Sequence, residues 1–239
     1  MSANTSLQKI KVISFDLDDT LWPCALVIDN AEKQLYHWLS EHVPVITQHH
    51  DINQLRKKRH SFFENHPESA HDLSALRIKF FVALADELDL SDDWIESAFD
   101  VFLQARQKIT LFDDVEPVLD ALINTYQLVS LTNGNANTIE TGVDHWFDFV
   151  LNSKSVGKMK SEPDIYQQMQ KLTNIEAKHM MHIGDHPVQD ILGAKSAGVF
   201  SVWLNRSNKS WPLDDCQPDA VIHSLHELPV LLAQLTDNS

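Results

Sequence analysis

Apolar and polar positions along the chain fall into two rhythms. Val12-Ile13-Ser14-Phe15 is a short apolar run that stops abruptly at Asp16-Leu17-Asp18-Asp19-Thr20. That pattern predicts a buried strand delivering carboxylates at its C-terminal end. From Ala25 to about Ile109 the spacing turns helical. Leu26, Ala31, Leu35, Trp38 and Leu39 mark a first helix, and Ile52, Leu55, Phe62 and Phe63 a second. Leu73, Leu76, Phe80, Phe81, Leu84 and Leu88 mark a third, and Trp94, Ile95, Ala98, Phe99, Phe102 and Leu103 a fourth, with Ser91 as its expected N-cap.

After Phe112-Asp113-Asp114 the rhythm alternates. A helix near Pro117 to Tyr126 precedes strands at Leu128–Leu131 and Phe149–Leu151, and Pro163 opens a helix to about Leu172. His179–Ile183 reads as a strand, Val188–Ala197 as a helix closed by Gly198, and Phe200–Leu204 as a strand. Ala220–Ile222 and Leu225–Leu235 are the last strand and helix. The fold class is therefore α/β, a doubly wound, Rossmann-like parallel sheet interrupted after its first strand by an all-helical insertion. Residues 1–22 and 110–239 form the expected core, and 23–109 the insertion.

Composition narrows what such a molecule does. With 19 Lys and Arg against 34 Asp and Glu, the net charge of −15 repels nucleic acid and anionic membranes. An anionic substrate is repelled too, unless a metal or local cations reverse the sign. Two distant cysteines, Cys24 and Cys216, indicate neither a disulfide framework nor a zinc ribbon, which points to a reducing cytoplasm. Met1 to Lys11 carries no apolar leader, and no window approaches a membrane helix. Only six glycines argue for helices over a turn-rich all-β architecture.

Candidate chemistry gathers at the predicted strand ends, where parallel sheets bind ligands. Asp16 and Asp18, two residues apart, can face one pocket. Thr132-Asn133-Gly134-Asn135 places small hydrogen-bonding groups after the second strand. Gly184-Asp185 follows the fourth, with Asp190 five residues on, and the lysine-rich loop Lys154–Lys160 precedes the Pro163 helix.

Taken together, these segments resemble the haloacid dehalogenase superfamily over nearly the whole chain. Phe15-Asp16-Leu17-Asp18-Asp19-Thr20-Leu21 is similar to its first motif, Thr132-Asn133-Gly134 to its second, a loop lysine to its third, and Gly184-Asp185 with Asp190 to its fourth. The family's lysine stands before Pro-Asp-Pro; Lys160-Ser161-Glu162-Pro163 keeps the spacing with Ser161 in place of the first proline, so Lys160 is preferred over Lys158. The helical insertion resembles the family's α-helical cap.

The resemblance implies a phosphomonoester hydrolase of small phosphorylated metabolites. Asp16 would be the nucleophile, forming an aspartyl-phosphate, and Asp18 the general acid and then base. The Thr132 hydroxyl and the Asn133 N–H would hold phosphoryl oxygens, with Lys160 offsetting their charge. Mg²⁺ would lie between Asp16, the Asp18 carbonyl and Asp185, supported by Asp190. With four carboxylates in the pocket, metal must bind for phosphate to bind. The stretch around Asp16 and Leu131–Ala136 looks like bacterial phosphatases that act on the ribityl-aminouracil phosphate of riboflavin synthesis.

Rival readings are a 2-haloacid dehalogenase, which needs neither Mg²⁺ nor an acid two residues on, a phosphosugar mutase, and a non-catalytic binding protein. Elsewhere the plainer reading is preferred. Arg56-Lys57-Lys58-Arg59 is a solvated face, Arg77 and Arg106 snorkel, the histidines at 49, 50, 60, 66 and 71 are exposed, and Trp22-Pro23 packs where the chain leaves the core.

Overall fold

A computed structural model describes residues 9–237. The leader-free reading of Met1–Lys11 falls mostly outside them. Strand β1 (Val12–Phe15) is buried throughout. Helices α1 (Cys24–His42), α2 (Pro44–His49), α3 (Ile52–Glu64), α4 (Leu73–Glu87) and α5 (Ile95–Arg106) follow, then α6 (Val115–Leu122) and β2 (Gln127–Thr132). The chain continues through α7 (Thr138–Thr141), β3 (Phe149–Asn152), α8 (Ser153–Val156), α9 (Pro163–Thr173) and β4 (Met180–Gly184). It ends with a π-helical turn at Pro187–Leu192, α10 (Gly193–Ser196), β5 (Phe200–Leu204), β6 (Ala220–Ile222) and α11 (Leu228–Asp237). No helix among the described residues is long and apolar enough to cross a membrane.

The six strands are parallel, in the order β3-β2-β1-β4-β5-β6. From β1 the chain moves outward to β2 and β3, then returns to build β4, β5 and β6 on the other side. The winding therefore reverses between β1 and β4, where ligands of such sheets bind. In register, Phe15 stands beside Ser130 on one flank and Ile183 on the other, so the polar ends of β1, β2 and β4 emerge side by side. Val12, Val129, Leu131, Ile165, Met169 and Met180 pack one of the buried clusters beneath them.

Contacts divide the molecule into a core of residues 1–23, 111–134 and 142–239 and a helical unit of 24–110 and 135–141. Residues 135–141, expected with the core, group with the helices. Asn137 N–H donates to Gln107 Oε1 (2.8 Å), Gln107 Nε2 to the Asn135 carbonyl (3.4 Å), and Asn135 Nδ2 to Ser74 Oγ (3.3 Å). The helical unit has its own interior of Leu35, Leu39, Phe80, Phe81, Trp94 and Phe102 among others. Its α3 is opened by a capping box between Asp51 and Gln54, and α4 by Asp72 accepting from Ala75 N–H (3.0 Å).

Local expectations are corrected at four places. Ser91 donates to Asp93, and the residue preceding α5 is Trp94, which has no side-chain cap. The helix expected from Val188 begins as a π turn, in which Ile191 N–H reaches the His186 carbonyl (3.4 Å) and the His186 ring caps Val188 and Gln189 N–H (3.2 Å each). Arg56 and Arg59 leave the solvated face to bind Glu32 of α1, at 2.8 and 2.9 Å. Arg77 is buried, its guanidinium 3.4 Å from the Phe102 ring centroid, and Arg106 is buried as well, so neither snorkels.

Candidate active site

The turn after β1 is closed on itself. Asp16 N–H donates to the Ile183 carbonyl (2.9 Å), continuing the β1–β4 ladder to the first carboxylate. Leu21 N–H returns to the Leu17 carbonyl (2.7 Å), and Asp19 N–H to that of Trp22 (2.8 Å). Asp19 takes a left-handed φ of 59° to allow it. The fully buried Trp22 donates its Nε1–H to Asp18 Oδ1 at 2.8 Å. Trp22 is therefore more than packing, since it orients the second carboxylate.

At the end of β2, Thr132 is buried and its hydroxyl accepts from Gly134 N–H (2.9 Å). The Asn133 side chain is a brace between loops: Oδ1 accepts from Lys160 N–H and Nδ2 donates to Gln189 Oε1, both at 2.9 Å. These bonds, with Glu162 N–H to the Met159 carbonyl (3.0 Å), fix the lysine loop despite Ser161. Lys160 is only 2 % exposed, and its Nζ donates to Asp16 Oδ1 and lies 2.7 Å from Asp190 Oδ1. Lys158 points elsewhere and pairs with the exposed Glu162 (2.7 Å). A Cβ on Gly193 would stand 1.9 Å from the Lys160 carbonyl oxygen, so only glycine admits the lysine there.

Gly184 does the same for the fourth segment, since a Cβ there would meet Asp190 Cγ at 2.3 Å. Asp190 is thus drawn into the core, where Oδ1 meets both Lys160 Nζ and His182 Nε2 (3.1 Å) and Oδ2 accepts from His186 N–H (2.9 Å). Asp185 stands half-buried at the rim, its backbone carbonyl accepting from Trp203 Nε1 (2.8 Å). Beside it opens a cavity of about 320 Å³, bordered by Asp19, Phe112, Asp185, Trp203, Arg206 and Lys209.

Charge in this cluster is unbalanced. Burial, with Asp190 and Asp185 nearby, raises the Asp16 pKa well above the carboxylate range against the pull of Lys160. Burial and the neighbouring Asp190 and Asp19 push Asp185 up to about 7. Burial opposes the charge on Asp190, but Lys160 and His182 hold its pKa below normal. For Lys160 burial is likewise outweighed by Asp16 and Asp190, which raise it. Oxygens of Asp16, Asp185 and Asp190 lie within 4.8 Å of one another. This hard-oxygen set, short of positive charge, fits a divalent cation such as Mg²⁺. Both Asp190 oxygens already accept hydrogen bonds within the cluster.

Asp16, Lys160, Asp185 and Asp190 thus converge, with Asn133 tied to the cluster through Lys160; Asp18 is turned to Trp22, and Thr132 lies beside the brace. His182 and the bracing role of the Asn133 side chain escaped sequence reasoning. The available signal for His182 is one polar residue inside the apolar run Met180–Ile183.

A family model for haloacid dehalogenase-like hydrolases matches residues 10–198, and the chain belongs to that family. It is 27% identical to the 5-amino-6-(5-phospho-D-ribitylamino)uracil phosphatase YigB of Escherichia coli K12, covering 84% of this chain and 86% of that protein. It is also 27% identical to the glyceraldehyde 3-phosphate phosphatase of Pyrococcus furiosus, covering 96% and 94%. The crystal structure of a 2-haloacid dehalogenase from Pseudomonas syringae pv. Tomato DC3000 superposes with a TM-score of 0.86 at 34% identity, covering 94% of this chain and 99% of that one.

Proposed function

We propose that the protein is a Mg²⁺-dependent phosphatase that hydrolyses a small phosphorylated metabolite through an aspartyl-phosphate on Asp16. The observation that carries the reading is the convergence of Asp16, Lys160, Asp185 and Asp190 where the sheet reverses its winding, with a second carboxylate, Asp18, oriented two residues on. An Asp16 oxygen attacks phosphorus and the P–O bond to the leaving group breaks. Asp18 gives that oxygen a proton, then takes one from the water that attacks the phosphoryl group and frees Asp16. The Thr132 hydroxyl and Asn133 N–H bind the phosphoryl oxygens, and Lys160 balances their charge. Asp16, the Asp18 carbonyl and Asp185 would hold Mg²⁺, which supplies charge neutralisation.

The curated relatives named as phosphatases support the class, and the cavity of about 320 Å³ beside Asp185 suits a small leaving group. Among substrates, the ribityl-aminouracil phosphate has the support of YigB, but the glyceraldehyde 3-phosphate phosphatase is as similar, so a panel holding both compounds is the discriminating assay. The half-buried cysteines at 24 and 216 form no disulfide, in keeping with a cytoplasmic setting.

A dehalogenase is the second reading, favoured by the likeness to the Pseudomonas syringae protein, which bears the dehalogenase name. The oriented Asp18 favours the phosphatase. The test is turnover of p-nitrophenyl phosphate with Mg²⁺ and with EDTA, beside chloride release from 2-chloropropionate. Mg²⁺-dependent phosphate release that falls about 10²–10⁴-fold in Asp18→Asn is expected. Chloride release unaffected by EDTA, or an Asp18→Asn variant at wild-type speed, would reject the assignment.

A further inference from the structure

Behind the candidate active site, a line of buried polar groups runs into the sheet. Ser14, inside β1, and His182, inside β4, are adjacent in register and fully buried. Ser14 Oγ lies 2.8 Å from His182 Nδ1, and His182 Nε2 lies 3.1 Å from Asp190 Oδ1. Buried hydroxyls and imidazoles in an otherwise apolar strand pair are costly unless every proton has an acceptor, so the proton positions can be counted.

An ionised Asp190 only accepts, and therefore Nε2 carries a proton. The Asp190 Oδ1 atom already faces the Lys160 ammonium at 2.7 Å, and a second full cation on the same oxygen would have to be buried against the first. With the ring neutral, Nδ1 is bare and must accept from the Ser14 hydroxyl. That hydroxyl has one proton and two acceptors in reach, Nδ1 at 2.8 Å and the Met181 carbonyl at 3.2 Å; the shorter contact is the one the neutral ring requires. Tyr166, itself fully buried, packs edge-on against the ring at 5.3 Å.

We propose that His182, with Ser14 behind it, is a positioning residue for the reaction: as the neutral Nε2–H tautomer it fixes the Asp190 carboxylate from which Lys160 is held against Asp16. The proposal rests on the phosphatase reading, in which Lys160 must face the phosphoryl group. Nε2–H and His186 N–H hold Asp190 from two sides, and Lys160 is shared between Asp190 and Asp16. Without His182, the carboxylate turns toward the ammonium and draws it away from the nucleophile.

Two measurements test this. In the ¹⁵N-labelled wild-type protein, the His182 ring nitrogens should show a protonated Nε2 and a bare, hydrogen-bonded Nδ1. Ser14→Ala should shift the Nδ1 resonance while Nε2 stays protonated. Turnover of p-nitrophenyl phosphate should fall about 10–100-fold in His182→Ala, mainly in kcat, and largely recover in His182→Gln, whose amide N–H replaces Nε2–H. A protonated Nδ1 in the wild type, or a folded His182→Ala variant with wild-type kcat, would overturn the proposal. If the variants fail to fold, the wild-type spectrum still decides. A wild type without phosphatase activity would reject the functional reading, leaving that spectrum to judge the proton positions separately.

Discussion

Two charge clusters, one in each unit, invert each other. In the core, the carboxylates of Asp16, Asp185 and Asp190 surround the ammonium of Lys160. In the helical unit, the guanidiniums of Arg56, Arg59 and Arg77 surround Glu32, at 2.8, 2.9 and 3.8 Å, with Asp29 as a further partner of Arg56 at 2.6 Å. The helical cluster resolves its excess internally. Arg77 lies on the Phe102 ring, burial and Arg59 lowering its pKa to about 9, while Arg56 and Arg59 remain partly exposed. The core cluster has no such outlet: three carboxylates against one ammonium leave two negative charges that Asp16 and Asp185 relieve by raised pKa values. The helical cluster carries its remaining positive charge on partly exposed side chains, whereas the core cluster, buried and left two charges short, calls for a divalent ion.

The sharpest way to separate the clusters is to remove one charge from each. Asp16→Asn should lower turnover by on the order of 10⁴-fold or more, as loss of a nucleophile does. Its metal-free stability should hold or rise, because the lost charge was one of a surplus. Glu32→Gln should do the reverse, costing about 3 kcal/mol by stranding the guanidiniums while turnover per folded molecule stays near wild type. Urea titration beside steady-state kinetics reads both. A destabilised, metal-free Asp16→Asn would break the comparison.

Metal gives the next effect in size. In the absence of substrate, Mg²⁺ at a hundredfold excess over its dissociation constant should stabilise the wild type by about 2.7 kcal/mol in thermal unfolding. Asp185→Asn should lose most of that shift. An equal shift in both proteins would remove Asp185 from the metal site.

Acid sharpens the comparison from the structural side. The core also holds a balanced pair: Asp114 bonds Arg206 through two contacts of 2.8 Å, as well as the Ser224 hydroxyl (2.7 Å) and Leu225 N–H (2.8 Å). Burial opposes its charge, but these bonds lower its pKa from 3.8 to about 2. A depressed carboxyl pKa adds stability that is present above pH 3.8 and lost as the pH falls through 2. The wild type should therefore lose about 2 kcal/mol of its advantage over Asp114→Asn between pH 5 and 2. A constant difference across that window would contradict the pairing.

What the sequence made legible has a common physical origin. Parallel strands read as apolar runs, and the polar residues that follow them stand out, which is why all six strands and the candidate carboxylates Asp16, Asp18 and Asp185 could be read, with Asp190 marked by its spacing after Gly184. Lys160 was found by its spacing before Pro163. Partners far apart in the chain left no trace. Glu32 precedes Arg56 by a long stretch, so a buried ion-pair cluster looked like a solvated face. His182 drew no reading of its own, because its partners Ser14 and Asp190 come together only in the folded sheet. The π turn at Pro187–Leu192 keeps a helical apolar pattern and differs only in its backbone hydrogen bonds.

The nucleophile assignment can be tested directly by quenching the Mg²⁺-loaded enzyme in acid during turnover of a phosphomonoester and mapping it by mass spectrometry. One phosphoryl group is expected, on the peptide bearing Asp16 and absent from Asp16→Asn. Phosphate on another residue, or rapid turnover by Asp16→Asn itself, would contradict the assignment.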